Sequence, residues 1–180
     1  KIYRPEKRSH QKEKKLSYLI QNPPRSSDSS GHAYIVWPKS LVYDQGLFVG
    51  FTMPLATGEK LEFLCHPKLP KRLAHTWSRF AFSETGVGKL RLKICYNIAV
   101  AIHHLHANGN YVLTDLKPDN IMIQPTGLIS IIDTDSVTVN AKDGTRFLGP
   151  VATPDYTPPE YYRGVNPELQ PIPMSWDLFS

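Results

Sequence analysis

The sequence predicts an α+β fold, with a strand, a helix and an antiparallel sheet in its first part and a long helix followed by short β-prone runs in its second. Three observations predict it. Short β-prone apolar runs bounded by Gly, Pro and Asp fill residues 33–55, a helix-period apolar pattern fills residues 90–107, and further strand-like runs follow up to Asp133. At 180 residues, 41% hydrophobic and 21% charged, the chain suits one core-bearing domain or two small lobes.

The first part reads as strand, helix and antiparallel sheet. From Ser9 to Ile20, "SHQKEKKLSYLI" offers Ser9 as N-cap, then a charged face, then Leu16, Tyr18, Leu19 and Ile20 gathered at its end. Asn22, Pro23 and Pro24 stop that helix, since proline disfavours helical angles in the residue before it. "RSSDSSG" has the composition of a loop. "AYIVWP" and "LVYD" read as strands on either side of Pro38, and "GLFVGFTMPL" as another, joined through the turn Asp44-Gln45-Gly46.

After "TGEKLEFL", Pro67 and Pro70 interrupt the chain before a helical region begins. From Leu90 to Ala107, the residues Ile94, Ile98, Ala101, Ile102 and Leu105 share one helix face, and Gly109 sits where a C-terminal cap falls. "YVL", "NIMIQ" and "LISIID" are β-prone, with Pro125-Thr126-Gly127 turning between the last two. Beyond Val139, a composition rich in Gly, Pro and Thr predicts an irregular segment up to "PPEYY". Trp37, Trp77 and Trp176 are expected as core aromatics.

Composition also narrows the function classes. No run approaches the roughly 20 apolar residues of a membrane span, and no charged-then-apolar leader opens the chain, so a soluble, non-membrane protein is expected. Cys65 and Cys95 lack metal-ligand spacing, which points to reduced thiols and a cytoplasmic location. The net charge of +5 is concentrated in "KIYRPEKRSHQKEKK" and reads as a solvated helix face. No aromatic stacking motif accompanies it, so nothing beyond charge argues for a nucleic-acid partner. A chain that starts at Lys1 and stops in "WDLFS", which reads as mid-helix, is expected to be a fragment cut at both ends.

The densest polar chemistry lies in "YVLTDLKPDNIMI", Tyr111 to Ile123. Pro118 disfavours helix there, so Asp115, Lys117 and Asn120 can point toward one cavity. A carboxylate acceptor, a cation and an amide oxygen are the parts needed to orient a hydroxyl, neutralise a phosphate and ligate a hard cation. Asp133, at the end of the run "LISII", supplies a second oxygen ligand.

These residues carry a resemblance to the protein kinases and their kinase-like relatives. "LTDLKPDN" matches the aspartate and asparagine of the catalytic loop with the same four intervening residues. "DTD" stands where D-F-G belongs, and "TPDYTPPE" resembles the segment ending in A-P-E, followed by "SWDLFS" in place of the next helix. "WP", "GFTMP", "IIDTDSV" and "TPPE" together resemble a bacterial group of stress-associated Ser/Thr kinase-like proteins. The resemblance implies a two-lobed protein kinase-like fold truncated at both ends, with residues 1–57 as partial N-lobe and hinge and residues 58–180 as partial C-lobe.

It further implies ATP-dependent transfer to Ser/Thr hydroxyls of a protein substrate, with Mg2+. Asp115 takes or orients the hydroxyl proton, Lys117 steadies the phosphoryl group, and Asn120 and Asp133 hold the metal. Lys1, on the lysine-bearing strand, is expected to pair with the nucleotide's phosphates and with Glu13 on the next helix. Thr52, at the inner edge of a strand, and the backbone of Met53 to Leu55 are expected to hold the adenine. Glu160 is implied in an ion pair of the large lobe, and Asp177 in hydrogen bonds to the catalytic-loop backbone.

Several positions depart from the family pattern. Leu113 and Thr114 replace His and Arg of H-R-D, which removes the usual partner of an activation-segment phosphate. Thr134 and Asp135 replace Phe and Gly of D-F-G, and Asp135 reads as a turn former or a further metal ligand. A glycine-rich phosphate loop is expected upstream of Lys1, so the 180 residues alone are expected to be inactive. "GVGKL", Gly86 to Leu90, lacks P-loop spacing and reads as a helix-entry turn, while the spacing of His103, His104 and His106 forms no good chelating face. The altered D-F-G motivates a pseudokinase alternative, and a small-molecule phosphotransferase on the same fold is a third reading.

Overall fold

A computed structural model of the chain describes residues 1–73, 75–107, 111–141, 143–149, 153–163 and 170–179. Helix α1 (His10–Gln21) starts where its cap predicts, with Ser9 Oγ accepting the Lys12 amide at 3.2 Å. It ends as the Asn22 amide closes onto the carbonyls of Tyr18 and Leu19. Leu16 and Leu19 are buried beneath it. Ser9→Ala is expected to cost about 1 kcal/mol, the usual worth of such a cap, read as a lower urea midpoint.

Strands β1 (Ser40–Asp44) and β2 (Leu47–Thr52) form an antiparallel hairpin. Gln45 and Gly46 both take positive φ, 48° and 80°, as a two-residue turn matching strand twist demands. The first residues pair with β2: the Tyr3 amide donates to Val49 O at 2.9 Å and the Phe51 amide to Lys1 O at 3.0 Å. That approach is possible because residue 50 is glycine. A Cβ there would lie 2.2 Å from the Lys1 carbonyl oxygen.

"AYIVWP" is not a strand. It makes one parallel bridge, Ile35 to Ile131, with the Val36 amide donating to Ile131 O at 2.9 Å. Ile35, Val36 and Trp37 are apolar because they are buried, and Trp37 Nε1 donates to Leu19 O at 2.8 Å, tying this segment to α1. Burial on all sides and burial in a sheet give the same sequence pattern.

Strand β3 (Glu59–Lys60) and the single-turn helix α2 (Glu62–Cys65) precede helix α3 (Val87–His106), which begins at Gly86 with φ 79°. "GVGKL" is therefore a helix entry, as its spacing predicts. Ile94, Ala101, Ile102 and Leu105 are buried on α3; the expected cap Gly109 lies outside the described residues. Strands β4 (Tyr111–Val112), β5 (Ile121–Ile123) and β6 (Ile129–Ile131) follow, and β3, β5 and β6 form one antiparallel sheet.

The segment beyond Val139 is more regular than its composition suggests. Strands β7 (Thr138–Asn140) and β8 (Arg146–Phe147) pair antiparallel beside β4. Asp143 Oδ1 accepts the Thr145 amide at 2.8 Å and Gly144 takes φ 86°, so the Gly-rich stretch is the hairpin's turn. A short helix α4 (Pro159–Tyr162) follows. "SWDLFS" forms a 3₁₀ helix, Met174–Leu178, where an α-helix is expected from sequence. One core runs from Tyr3 through Leu16, Trp37, Phe51, Ile102 and Ile131 to Val139, and all three tryptophans are buried. Among the described residues no helix is long and apolar enough to cross a membrane.

Candidate active site

The loop between β4 and β5 brings Asp115, Lys117 and Asn120 together, and Pro118–Asn120 closes it with a 3₁₀ turn. Lys117 Nζ lies 3.1 Å from Asp115 Oδ2, and Asn120 Nδ2 donates to the Asp115 carbonyl at 2.9 Å. A fourth residue joins them. Thr153 donates to Asp115 Oδ1 from its amide at 3.1 Å and its hydroxyl at 2.7 Å, and that hydroxyl also accepts from Lys117 Nζ at 2.8 Å. Burial pushes the Asp115 carboxyl up, but the bonds from Thr153 and Lys117 outweigh it and hold the group below its ordinary 3.8. Asp115 is thus an ionised acceptor, 15% exposed, fixed from three sides.

Asp133 is joined to this loop through the backbone, since the Ile132 amide donates to Asn120 O at 2.8 Å. It adopts φ 61°, a left-handed angle that aspartate tolerates better than most side chains. Lys1 Nζ bonds both Asp133 and Asp135, the latter at 2.8 Å, and the Tyr3 hydroxyl donates to the other oxygen of Asp135. Burial lowers the Lys1 ammonium, yet Asp135 and Asp133 together raise it above the ordinary lysine value. Thr134, in place of phenylalanine, is buried and donates its hydroxyl to Val36 O.

Glu13 does not meet Lys1. Its carboxylate accepts from the Tyr43 hydroxyl at 2.8 Å and lies 3.5 Å from His10 Nδ1, on the side of α1 that faces β1. The face of α1 turned to Lys1 carries Lys12 and Lys15 instead, around a cavity of about 590 Å³. The expectation that Glu13 is the lysine's partner is therefore corrected: helical rotation places residues 12 and 15, not 13, toward that strand. Thr52 is also misread as inward. It is exposed, with its hydroxyl 2.6 Å from Ser40 Oγ, and Phe51 fills the buried position. Met53 and Leu55 are exposed on the connection leaving β2.

A second cluster supports the loop from behind. Asp177 is 2% exposed and accepts the Leu113 amide at 2.8 and 3.0 Å and a bond with His106 Nε2 at 2.8 Å. The first is the backbone contact that the resemblance implies for Asp177. Burial raises its carboxyl above the ordinary range, with His106 and Leu113 pulling the other way. His104 packs on the Tyr34 ring. Thr114, in place of arginine, is buried against Gly149: a Cβ on Gly149 would come within 2.4 Å of its hydroxyl. Glu160 is exposed and makes no ion pair with the described residues.

The spacing from Asp115 to Asn120 has its counterpart in the catalytic loop of one family, and the profile of the protein kinase domain matches residues 3–180. The chain belongs to the protein kinase domain family. Its fold is the two-lobed kinase fold, with an antiparallel-sheet part and a helical part. Among curated proteins, 36% identity over 70 residues links it to human Citron Rho-interacting kinase, covering 38% of this chain and 3% of that protein. Human myotonin-protein kinase is 44% identical over 69 residues, 38% of this chain and 11% of the relative. The chain therefore spans a small fraction of the curated relatives it matches.

For a kinase domain, sequence reasoning missed three site residues. Thr153 opens "TPDYTPPE", seven residues before Glu160, and a hydroxyl at that fixed offset from the segment's glutamate is the available signal. Tyr3 and His106 carry no local signal, because their partners Asp135 and Asp177 lie 132 and 71 residues away in sequence.

Proposed function

We propose that this kinase domain transfers the γ-phosphoryl group of ATP to Ser/Thr hydroxyls of a protein substrate. The observation that carries the reading is the ionised Asp115 carboxylate, held by Thr153 and Lys117, with Asn120 at 3.4 Å, beside the Asp133 strand end. Asp115 accepts the hydroxyl proton as that oxygen bonds to the γ-phosphorus, the bond to the β–γ bridging oxygen breaks, and ADP leaves. Lys117, fixed to Asp115 and Thr153, offsets charge on the transferring group. Positioning supplies most of the catalysis in such a reaction, which suits a set of hydrogen-bonded rather than nucleophilic groups.

The residues fit a magnesium ion. Asn120 spends its Nδ2 on Asp115, leaving its amide oxygen, and Asp133 bonds Lys1 through one oxygen. Asn120 and Asp133 would supply two oxygen ligands, the rest of a magnesium shell falling to substrate phosphates and water. Bound there, Mg2+ would supply neutralisation of phosphate charge. Lys1 is assigned to the phosphates, and the exposed backbone of Met53 to Leu55 to the adenine. Residues 1–57 are read as the N-lobe and hinge and residues 58–180 as the C-lobe.

Both Citron Rho-interacting kinase and myotonin-protein kinase are named as kinases, which supports the reaction class. The narrower likeness to bacterial stress-associated Ser/Thr kinase-like proteins rests on the quoted sequence patterns alone. The thiols of Cys65 and Cys95 are free, which supports a reducing, cytoplasmic setting.

The deciding experiment is a magnesium-dependent phosphotransfer assay on the full-length protein with a Ser/Thr peptide library. Phosphopeptide formation is expected; ATP binding without any transfer would favour the pseudokinase, and phosphorylation of sugars or antibiotics alone would favour a small-molecule substrate. Thr153→Val, which keeps the amide bond to Asp115 but loses the hydroxyl, is expected to lower kcat/KM by about 10- to 150-fold, since hydrogen bonds to charged groups are worth ~1.5–3 kcal/mol. Unchanged steady-state rates would remove Thr153 from the site.

A further inference from the structure

We propose that Asp135, rather than a carboxylate on α1, is the group that positions the phosphate-binding lysine Lys1. The inference rests on the kinase reading above and assigns the role of the residue that stands where the family has the glycine of D-F-G.

The helix offers Lys1 no acid. Glu13, the one acidic residue in the first turn of α1, is bound to Tyr43 at 2.8 Å and faces β1. The side of α1 that lines the cavity beside Lys1 presents Gln11, Lys12 and Lys15. Lys12 Nζ sits 4.4 Å from the centroid of the Tyr3 ring, and Lys15 is 7% exposed with its ammonium donating to Leu148 O at 3.4 Å. α1 therefore brings no anion to Lys1, and the carboxylates that meet it come from another element.

Asp135 has both oxygens engaged. Oδ1 accepts Lys1 Nζ at 2.8 Å while Oδ2 accepts the buried Tyr3 hydroxyl, and Tyr3 lies two residues from Lys1 on the same extended segment. The side chain is 10% exposed, against 45% for Asp133. The two aspartates thus differ in environment: Asp135 is clamped, and Asp133 remains open toward solvent.

The backbone holds this arrangement without strain at residue 135. Positive φ falls on Asp133, not on Asp135, so no glycine is needed there. The 3₁₀ turn Thr134–Ser136 is pinned by the Thr134 hydroxyl on Val36 O and the Ser136 hydroxyl on Asp133 O at 2.8 Å. The charge pattern is consequently exchanged between elements: lysines occupy the helix face, and the carboxylate comes from the segment after β6.

The test is a double-mutant cycle in the full-length protein, with Lys1→Met, Asp135→Asn and Glu13→Gln, reading KM for ATP and kcat. Asp135→Asn is expected to raise KM and lower kcat/KM about tenfold, with no further loss when added to Lys1→Met. Glu13→Gln is expected to stay within about twofold of wild type. Full additivity of Asp135→Asn with Lys1→Met, or a Glu13→Gln loss that vanishes in the Lys1→Met background, overturns the proposal.

Should Asp135→Asn not fold, Tyr3→Phe takes its place, and its loss is likewise expected to vanish in the Lys1→Met background. A wild-type protein that transfers no phosphoryl group defeats the kinase reading alone. The same cycle is then read in melting temperature, where Lys1 and Asp135 are expected to couple and Lys1 and Glu13 to add; the reverse overturns the assignment.

Discussion

Asp115→Asn in the full-length protein is expected to lower phosphotransfer by about 10²- to 10⁴-fold, the usual contribution of a general base, with little change in ATP affinity. The substitution is nearly isosteric and keeps an oxygen for the amide and hydroxyl of Thr153, so the loop should hold its shape. What it removes is the anionic acceptor. Single-turnover rates at saturating ATP would separate this from a binding defect. A loss confined to KM would mean that Asp115 serves ground-state binding and not proton acceptance.

The same carboxylate sets an expected pH dependence. Its folded value lies below the ordinary 3.8, so the stability it contributes is present above that value and is lost only as pH falls through the depressed one. Asp115 therefore imposes no acidic limb on the rate between about pH 5 and 7. A pH–rate profile of kcat that fell across that interval would require a different group in the proton-accepting role.

Asp177→Ala is expected to destabilise the fold by about 2 kcal/mol, because it strands one buried donor at ~1–3 kcal/mol and removes the partner of a half-buried second. Those donors are the Leu113 amide, held at 2.8 and 3.0 Å, and His106, held at 2.8 Å. Urea denaturation would register the loss as a lower midpoint, and an unchanged midpoint would show that Asp177 holds nothing. The effect reaches function through distance in sequence: Leu113 is two residues before Asp115, and freeing its amide loosens the strand end from which the catalytic loop springs.

Much of this was legible because the signals are local. Ser9 caps α1 and Asn22 closes it through contacts three or four residues long. The spacing from Asp115 to Asn120 requires only one tight loop around Pro118, and the 3.6-residue period of α3 needs only its own side chains. The misreadings have different physical sources. "AYIVWP" bridges to Ile131, about a hundred residues away, a partner not visible from within the segment. β8 pairs with the nearby β7 across a Gly turn, and a composition rich in Gly, Pro and Thr hides so short a hairpin.

The family and the order of its motifs are readable along the chain, since each depends on residue types at short, fixed spacing. Which charges meet depends on packing. The rotation of α1 turns Glu13 toward Tyr43 and brings Lys12 and Lys15 to the cavity, and the turn after β6 delivers Asp135 to Lys1. An ion pair depends on the orientation of two elements at once, and a residue's identity fixes its charge but not the direction in which its helix faces.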